Sequence, residues 1–120
     1  MARSLVVKVT CGEEAAERLS QAFTVAATAV ASGVDTSVWL TGDSVWCAVP
    51  GRCPDLGLEH SAPLEALVET VLAGGRVTVC TQCAARRGIS EADLPEGVRI
   101  AGAATFLEES LADGAQALVY

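Results

Sequence analysis

The chain has 120 residues, of which 51% are hydrophobic but only 4% aromatic, and it carries a formal net charge of −7 with a pI near 4.5. That length predicts one domain over residues 1–120, large enough for a single core and too short for two. Direct binding to nucleic acid is excluded as the expected role, because phosphate attraction needs clustered Lys and Arg and the chain has one lysine, Lys8.

In chain order, Leu5 to Thr10 reads as a first strand that turns at Thr10, Cys11 and Gly12 into a helix. Glu13 and Glu14 fall in the first helical turn, where negative charge complements the dipole. Ala15, Ala16, Leu19, Ala22, Phe23, Ala26, Ala27 and Val30 then recur at three- and four-residue spacing, so the helix runs from about Glu13 to Ser32 and stops at Gly33. Thr36 to Leu40 is the second strand, followed by a turn at Thr41, Gly42 and Asp43. From Ser44 to His60 regular periodicity is lost, and Trp46, Val49, Leu56 and Leu58 are predicted to form a lid or, in preference, a subunit contact. Ser61 and Pro63 open a second helix carrying Leu64, Leu67, Val68, Val71 and Leu72 up to Gly74 and Gly75. Arg76 to Cys80 is the third strand. Ser90 to Leu94 reads as one capped turn, Val98 to Ala101 as a short fourth strand, and Thr105 with Glu108 as the capping box of a helix that ends at Gly114. Ala115 to Val119 closes the sheet. Strand and helix alternate throughout, which predicts an α/β fold with an open parallel sheet and helices on both faces. All strand C-termini of such a sheet share one edge. Cys11, the Thr41 to Asp43 turn and Cys80 therefore share a rim where α/β folds place ligands.

The chemistry concentrates where the third strand ends on Cys80. Thr81 offers an N-cap hydroxyl, Cys83 falls in the first turn of a short helix, and Gly88 supplies its stop. Unpaired N–H groups and the positive helix end favour a thiolate there, and Arg86 and Arg87 add positive charge two turns on. Cys80 followed by Arg86, Arg87, Gly88 and the aliphatic Ile89 resembles the active-site segment of the DsrE/DsrF family of sulfur-relay proteins, which includes TusD-type subunits. That resemblance implies a three-layer α/β/α sandwich of about five strands, assembly into trimers or hexamers, and a persulfide carried on Cys80. Cys83 departs from the TusD-type pattern. On this reading Cys80 accepts sulfane sulfur and donates it, the Thr81, Gln82 and Cys83 amides stabilise the anion, Arg86 and Arg87 bind an anionic donor, and Cys83 resolves the persulfide or packs under the helix.

Two other readings of the thiols stay open. Cys80 and Cys83 have the C-x-x-C spacing of a thiol-disulfide switch. With Cys47 and Cys53, or with His60 as a substitute, they would supply a tetrahedral zinc site. Cys11 is read as filler in preference to a second reactive thiol, and Lys8 as a residue whose head escapes at a strand edge in preference to a charge near the site. No G-x-G-x-x-G, Walker-type or G-x-S-x-G motif is present, and no cofactor is expected. Five cysteines, an odd number, with no leader segment or membrane-length apolar run, point to a reducing cytoplasm rather than a disulfide framework. A mean hydropathy of +0.39 without a membrane span points to apolar surface covered between subunits, hence a homo-oligomer with protein donor and acceptor partners.

Overall fold

The computed structural model describes residues 3–120. Five strands, β1 (Ser4–Val9), β2 (Asp35–Leu40), β3 (Arg76–Cys80), β4 (Arg99–Ala101) and β5 (Ala115–Val119), form one parallel sheet in the order β4-β3-β2-β1-β5. The helices are α1 (Ala16–Ala31), α2 (Leu64–Gly74), α3 (Thr81–Arg86) and α4 (Ala103–Ser110). Strand order explains their placement. From β1 to β4 the chain steps in one direction, and right-handed crossovers put α1 and α2 on the same face; the return from β4 to β5 reverses direction, so α4 lands on the other. The predicted parallel sheet with helices on both faces is therefore what forms.

Val7, Val9, Val38, Leu40, Val77 and Val79 alternate towards α1 and α2, where they pack with Leu19, Phe23, Ala26, Val68 and Val71. The two helices approach closely because Gly74 ends α2: a Cβ there would lie 2.5 Å from Val30 Cγ1. The opposite face mixes the buried Val6 and Trp39 with polar and charged residues. Its register sets Lys8 beside Trp39, Trp39 beside Thr78 and Thr78 beside Arg99. Helix α4 crosses this row with none of its residues fully buried. It is held by Phe106, edge-on to Trp39 at 5.4 Å between ring centroids, and by Glu109. The Glu109 carboxylate accepts from Ser37 Oγ at 2.5 Å and Trp39 Nε1 at 3.1 Å and pairs with Arg99, which in turn donates to Thr78 Oγ1 at 2.6 Å. Leu107, Leu111 and Val119 stay exposed. Among the described residues no helix is long and apolar enough to cross a membrane.

Several local expectations are corrected. Glu13–Ala15 forms a 3-10 turn and α1 starts at Ala16, because the Glu14 carboxylate folds back to accept the Gly12 N–H at 2.7 Å. Helix α4 begins right after Gly102 with no side-chain cap, so Thr105 and Glu108 lie inside it and form no capping box. The capped turn after Ser90 does form, with the Asp93 carboxylate accepting the Ser90 N–H at 2.9 Å. Strand β4 begins at Arg99 rather than Val98. The stretch from Ser44 is more ordered than its pattern suggests: Gly42–Ala48 is a 3-10 helix that buries Ser44, Val45, Cys47 and Ala48, and Trp46, Val49 and Leu56 pack against the same core. Lys8 is not at a sheet edge, since β1 lies between β2 and β5.

Glu109→Ala should lower unfolding free energy by about 1–3 kcal/mol in urea titrations, because it leaves the Ser37 hydroxyl and the Trp39 N–H without their acceptor. Arg76→Ala, which breaks the exposed Arg76–Asp35 pair, should lower it by less than about 1 kcal/mol.

Candidate functional site

Strand β3 ends on Cys80 and α3 begins at Thr81 with no loop between them, so Cys80 itself is the N-cap residue. This corrects the predicted cap: Thr81 is the first helical residue, and its exposed side chain lies beside Gly102 at the start of α4. The rim is tied together by backbone. Thr41 donates its N–H and its hydroxyl to the Val9 carbonyl, at 2.9 and 2.8 Å, and Ser44 Oγ donates to the Thr41 carbonyl at 2.7 Å. Gly42 adopts φ +58°, and a side chain there would press on the Thr10 carbonyl at 3.1 Å. Its N–H donates to Cys83 Sγ at 3.2 Å. Cys11, the Thr41 to Asp43 turn and Cys80 thus close one rim, with Cys83 buried beneath it.

Cys80 is half-buried, and burial works against its thiolate. That effect is outweighed by the Cys83 N–H, the Cys83 thiol, the Gln82 N–H and the Lys8 charge, which together hold Cys80 below the ordinary thiol range. No side-chain hydrogen bond of full capping geometry is made. The N–H groups favour the anion all the same. Gln82 and Arg86 are exposed, and among the described residues Arg86 forms no ion pair. Arg87 is engaged in the scaffold: it pairs with Asp43 at 2.9 Å and donates to the Cys83 carbonyl at 3.1 Å, which ties the β2 turn to α3.

Cys47 and Cys53 form a separate pair. Between them, Val49 to Arg52 makes a hydrogen-bonded turn with Pro50 and Gly51 at its centre, Gly51 at φ +79° and the Arg52 N–H on the Val49 carbonyl at 3.0 Å, the pattern of a type II turn. The turn stacks the Arg52 guanidinium over Trp46 at 4.1 Å and returns Cys53 to Cys47. A hydrogen bond between these thiols holds the Cys53 pKa down and, with burial, pushes Cys47 up. Burial also raises the buried Cys11. Among the described residues no three His, Cys, Asp or Glu side chains gather closely enough to hold a metal ion. The four-thiolate zinc arrangement, with or without His60, is therefore not assembled: the cysteines sort into two pairs. Sequence reading missed the Asp43 to Arg87 clamp and the Cys47 to Cys53 pairing, although Pro50-Gly51 was a usable signal for the latter.

A sequence model of the DsrE/DsrF-like family matches residues 4–119. The uncharacterized protein MK0008 of Methanopyrus kandleri is 35% identical over 85 residues, covering 71% of this chain and 68% of that protein. The uncharacterized protein MJ0760 of Methanocaldococcus jannaschii is 34% identical over 99 residues, covering 82% of this chain but 36% of that longer protein. Among solved structures, the fold is similar to the ychN protein from E. coli, with a TM-score of 0.79, 21% identity, and 98% and 99% of the two chains covered. It is also similar to MTH1491, a protein of unknown function from Methanobacterium thermoautotrophicum, with a TM-score of 0.66, 16% identity and both chains fully covered.

Brief alkylation of the folded protein followed by peptide mapping should modify Cys80 and Cys53 first and spare the buried Cys11, Cys47 and Cys83. The pH profile of Cys80 alkylation should have its midpoint below that of an ordinary cysteine, since a lowered pKa keeps the thiolate present to lower pH.

Proposed function

Because the chain belongs to the DsrE/DsrF-like family, we propose that it is a sulfur-transfer protein whose Cys80 carries a persulfide between a protein donor and a protein acceptor. The observation that carries this reading is the Cys80 thiol itself, half-buried at the end of β3 and favoured as thiolate by the Cys83 and Gln82 N–H groups and by Lys8. In the loading step the Cys80 thiolate attacks the outer sulfur of a donor persulfide. A sulfur–sulfur bond forms on Cys80, the donor's own sulfur–sulfur bond breaks, and the donor leaves as a thiolate. Unloading repeats the exchange with an acceptor thiolate, so no external oxidant is consumed. Thr81 and Gln82 flank the reacting sulfur on the exposed side, and Arg86 is the free cation that meets an anionic donor. Arg87 acts at one remove by holding Asp43 and α3 in place.

The exposed Leu107, Leu111 and Val119 support a homo-oligomer in which another subunit covers them. Five free thiols suit a reducing cytoplasm.

A second reading is favoured by the Cys83 thiol beside Cys80, where it helps to hold the Cys80 thiol below its ordinary range. Here the Cys83 thiolate attacks the Cys80 sulfur of the persulfide, a Cys80–Cys83 disulfide forms, and the outer sulfur leaves as hydrosulfide. The sulfane sulfur is reduced, the two cysteines are oxidised, and a cellular thiol later restores the dithiol.

Intact-protein mass spectrometry after incubation with polysulfide should show additions of about 32 Da per sulfur that a thiol reductant removes. Cys80→Ser should abolish them. Cys83→Ser should retain them and lose any release of hydrosulfide in the absence of added thiol. Sulfur retained on Cys80→Ser, or no addition to the wild-type chain, would overturn the carrier role.

A further inference from the structure

We infer that Lys8 is a positioning residue for Cys80: its ammonium, held on the same side of the sheet as the thiol and free of any carboxylate partner, selects anionic sulfur donors over neutral ones. The donor class rests on the persulfide reading above; the field of Lys8 does not.

The placement follows from topology. Val7 and Val9 face the α1 and α2 core, so Lys8 between them faces α4. Register sets Lys8 beside Trp39 and Trp39 beside Thr78, and Cys80 is the next residue on that face beyond Thr78. By alternation Lys8 and Cys80 therefore start from one side of the sheet, on strands separated only by β2, and Cys80, at the strand end, also packs against the core beside Cys83. Strand β5 flanks β1 on its other side, with Val119 beside Lys8. The half-buried head lies over Phe106 of α4, with Nζ 4.7 Å from the ring centroid.

Neutralisation distinguishes Lys8 from Arg87 and Arg99, and its place on an interior strand distinguishes it from Arg86, which is also unpaired among the described residues but exposed at the end of α3. The carboxylate on this face, Glu109, is already engaged by Ser37, Trp39 and Arg99. Arg99 is thereby paired, Arg87 is paired with Asp43, and among the described residues Lys8 has no ion pair. An aromatic face stabilises a cation without cancelling its charge, so the field of Lys8 reaches the thiol, where it favours the anion.

The chemistry needs that field. A polysulfide or a deprotonated persulfide is an anion approaching a thiolate, and like charges repel most at the distance where the bond forms. The Cys80 sulfur gains a bond to a sulfane sulfur, the sulfur–sulfur bond behind it breaks, and the shortened chain departs with the electron pair. Charge is conserved and no redox agent enters. A nearby cation lowers the repulsion on approach without taking part in bonding.

The test needs no sulfur. Cys80 is alkylated with iodoacetate, an anion, and iodoacetamide, its neutral analogue, at a pH where Cys80 is fully thiolate, with site mapping by mass spectrometry. The iodoacetate-to-iodoacetamide rate ratio should fall roughly three- to tenfold in Lys8→Met and be retained in Lys8→Arg. In the wild-type protein the ratio should fall as salt rises. The overall charge of −7 alone would give the opposite sign, because screening it would help an anion approach. An unchanged ratio in a folded Lys8→Met, or a wild-type ratio that rises with salt, would overturn the inference. Should Lys8→Met fail to fold, Lys8→Gln is read in the same way, with Arg86→Gln alongside to separate the contribution of that unpaired charge. A chain with a Lys8-dependent ratio that takes up no sulfur would remove the carrier reading and leave the Lys8 assignment standing.

Discussion

The Glu109 carboxylate receives Ser37 and Trp39 from β2 and Arg99 from β4, and on that convergence rests the seating of a helix that buries none of its own residues completely. The α1 and α2 face is an ordinary aliphatic core that any similar pattern of Val, Leu and Ala would build. The α4 face is different: beside the apolar Val6 and Ala117 its sheet residues include Lys8, Ser37, Trp39, Thr78 and Arg99, which apolar burial alone cannot hold together. One acceptor with several donors makes that layer permissible. Phe106 is then fixed over the sheet, and the ring that steadies Lys8 is in place. The electrostatics at Cys80 depend in this way on a carboxylate that never approaches the thiol.

The general architecture was legible in the sequence because its signals were redundant. Alternating β-branched runs and alanine-rich helical stripes, punctuated by Gly33, Gly75 and Gly114, can be read as strand and helix in only one order. Cys80 was legible for a similar reason, as a thiol at a strand end followed by a helix with its stop at Gly88. What stayed hidden needed strand order or three-residue periodicity. Lys8 in an apolar strand is ambiguous until β1 is known to be interior, and nothing local to residues 4–9 says that β5 will cover it. Val45, Cys47 and Ala48 belong to a 3-10 helix, whose period matches neither the helical nor the strand template, so buried core was read as irregular loop. The capping box at Thr105 failed because extended Gly102 starts α4 earlier than a side-chain cap could.

The cysteines divide by environment rather than by spacing. Cys11 and Cys47 are buried and pushed towards the neutral thiol, whereas Cys53 and Cys80 are partly open and pushed towards the anion, each with a second thiol beside it. Cys83 accepts the Gly42 N–H and lies beside Cys80. It therefore links the β2 turn to the surroundings of the reacting sulfur.

The pairing of Ser4 with Ala115 joins the two ends of the described chain, and it sets the order of events at the ribosome. Strand β1 is made before β2 and can find it early, but its other flank has to wait until Ala115–Val119 has been synthesised. Throughout that interval a run of Leu5, Val6, Val7 and Val9 presents an open hydrogen-bonding edge, the kind of surface on which nascent chains stick to one another. Lys8 sits in the middle of that edge, and a charge is a poor guest in an intermolecular sheet. The side chain whose head lies over Phe106 in the finished molecule thus puts a charge on the open edge until β5 arrives.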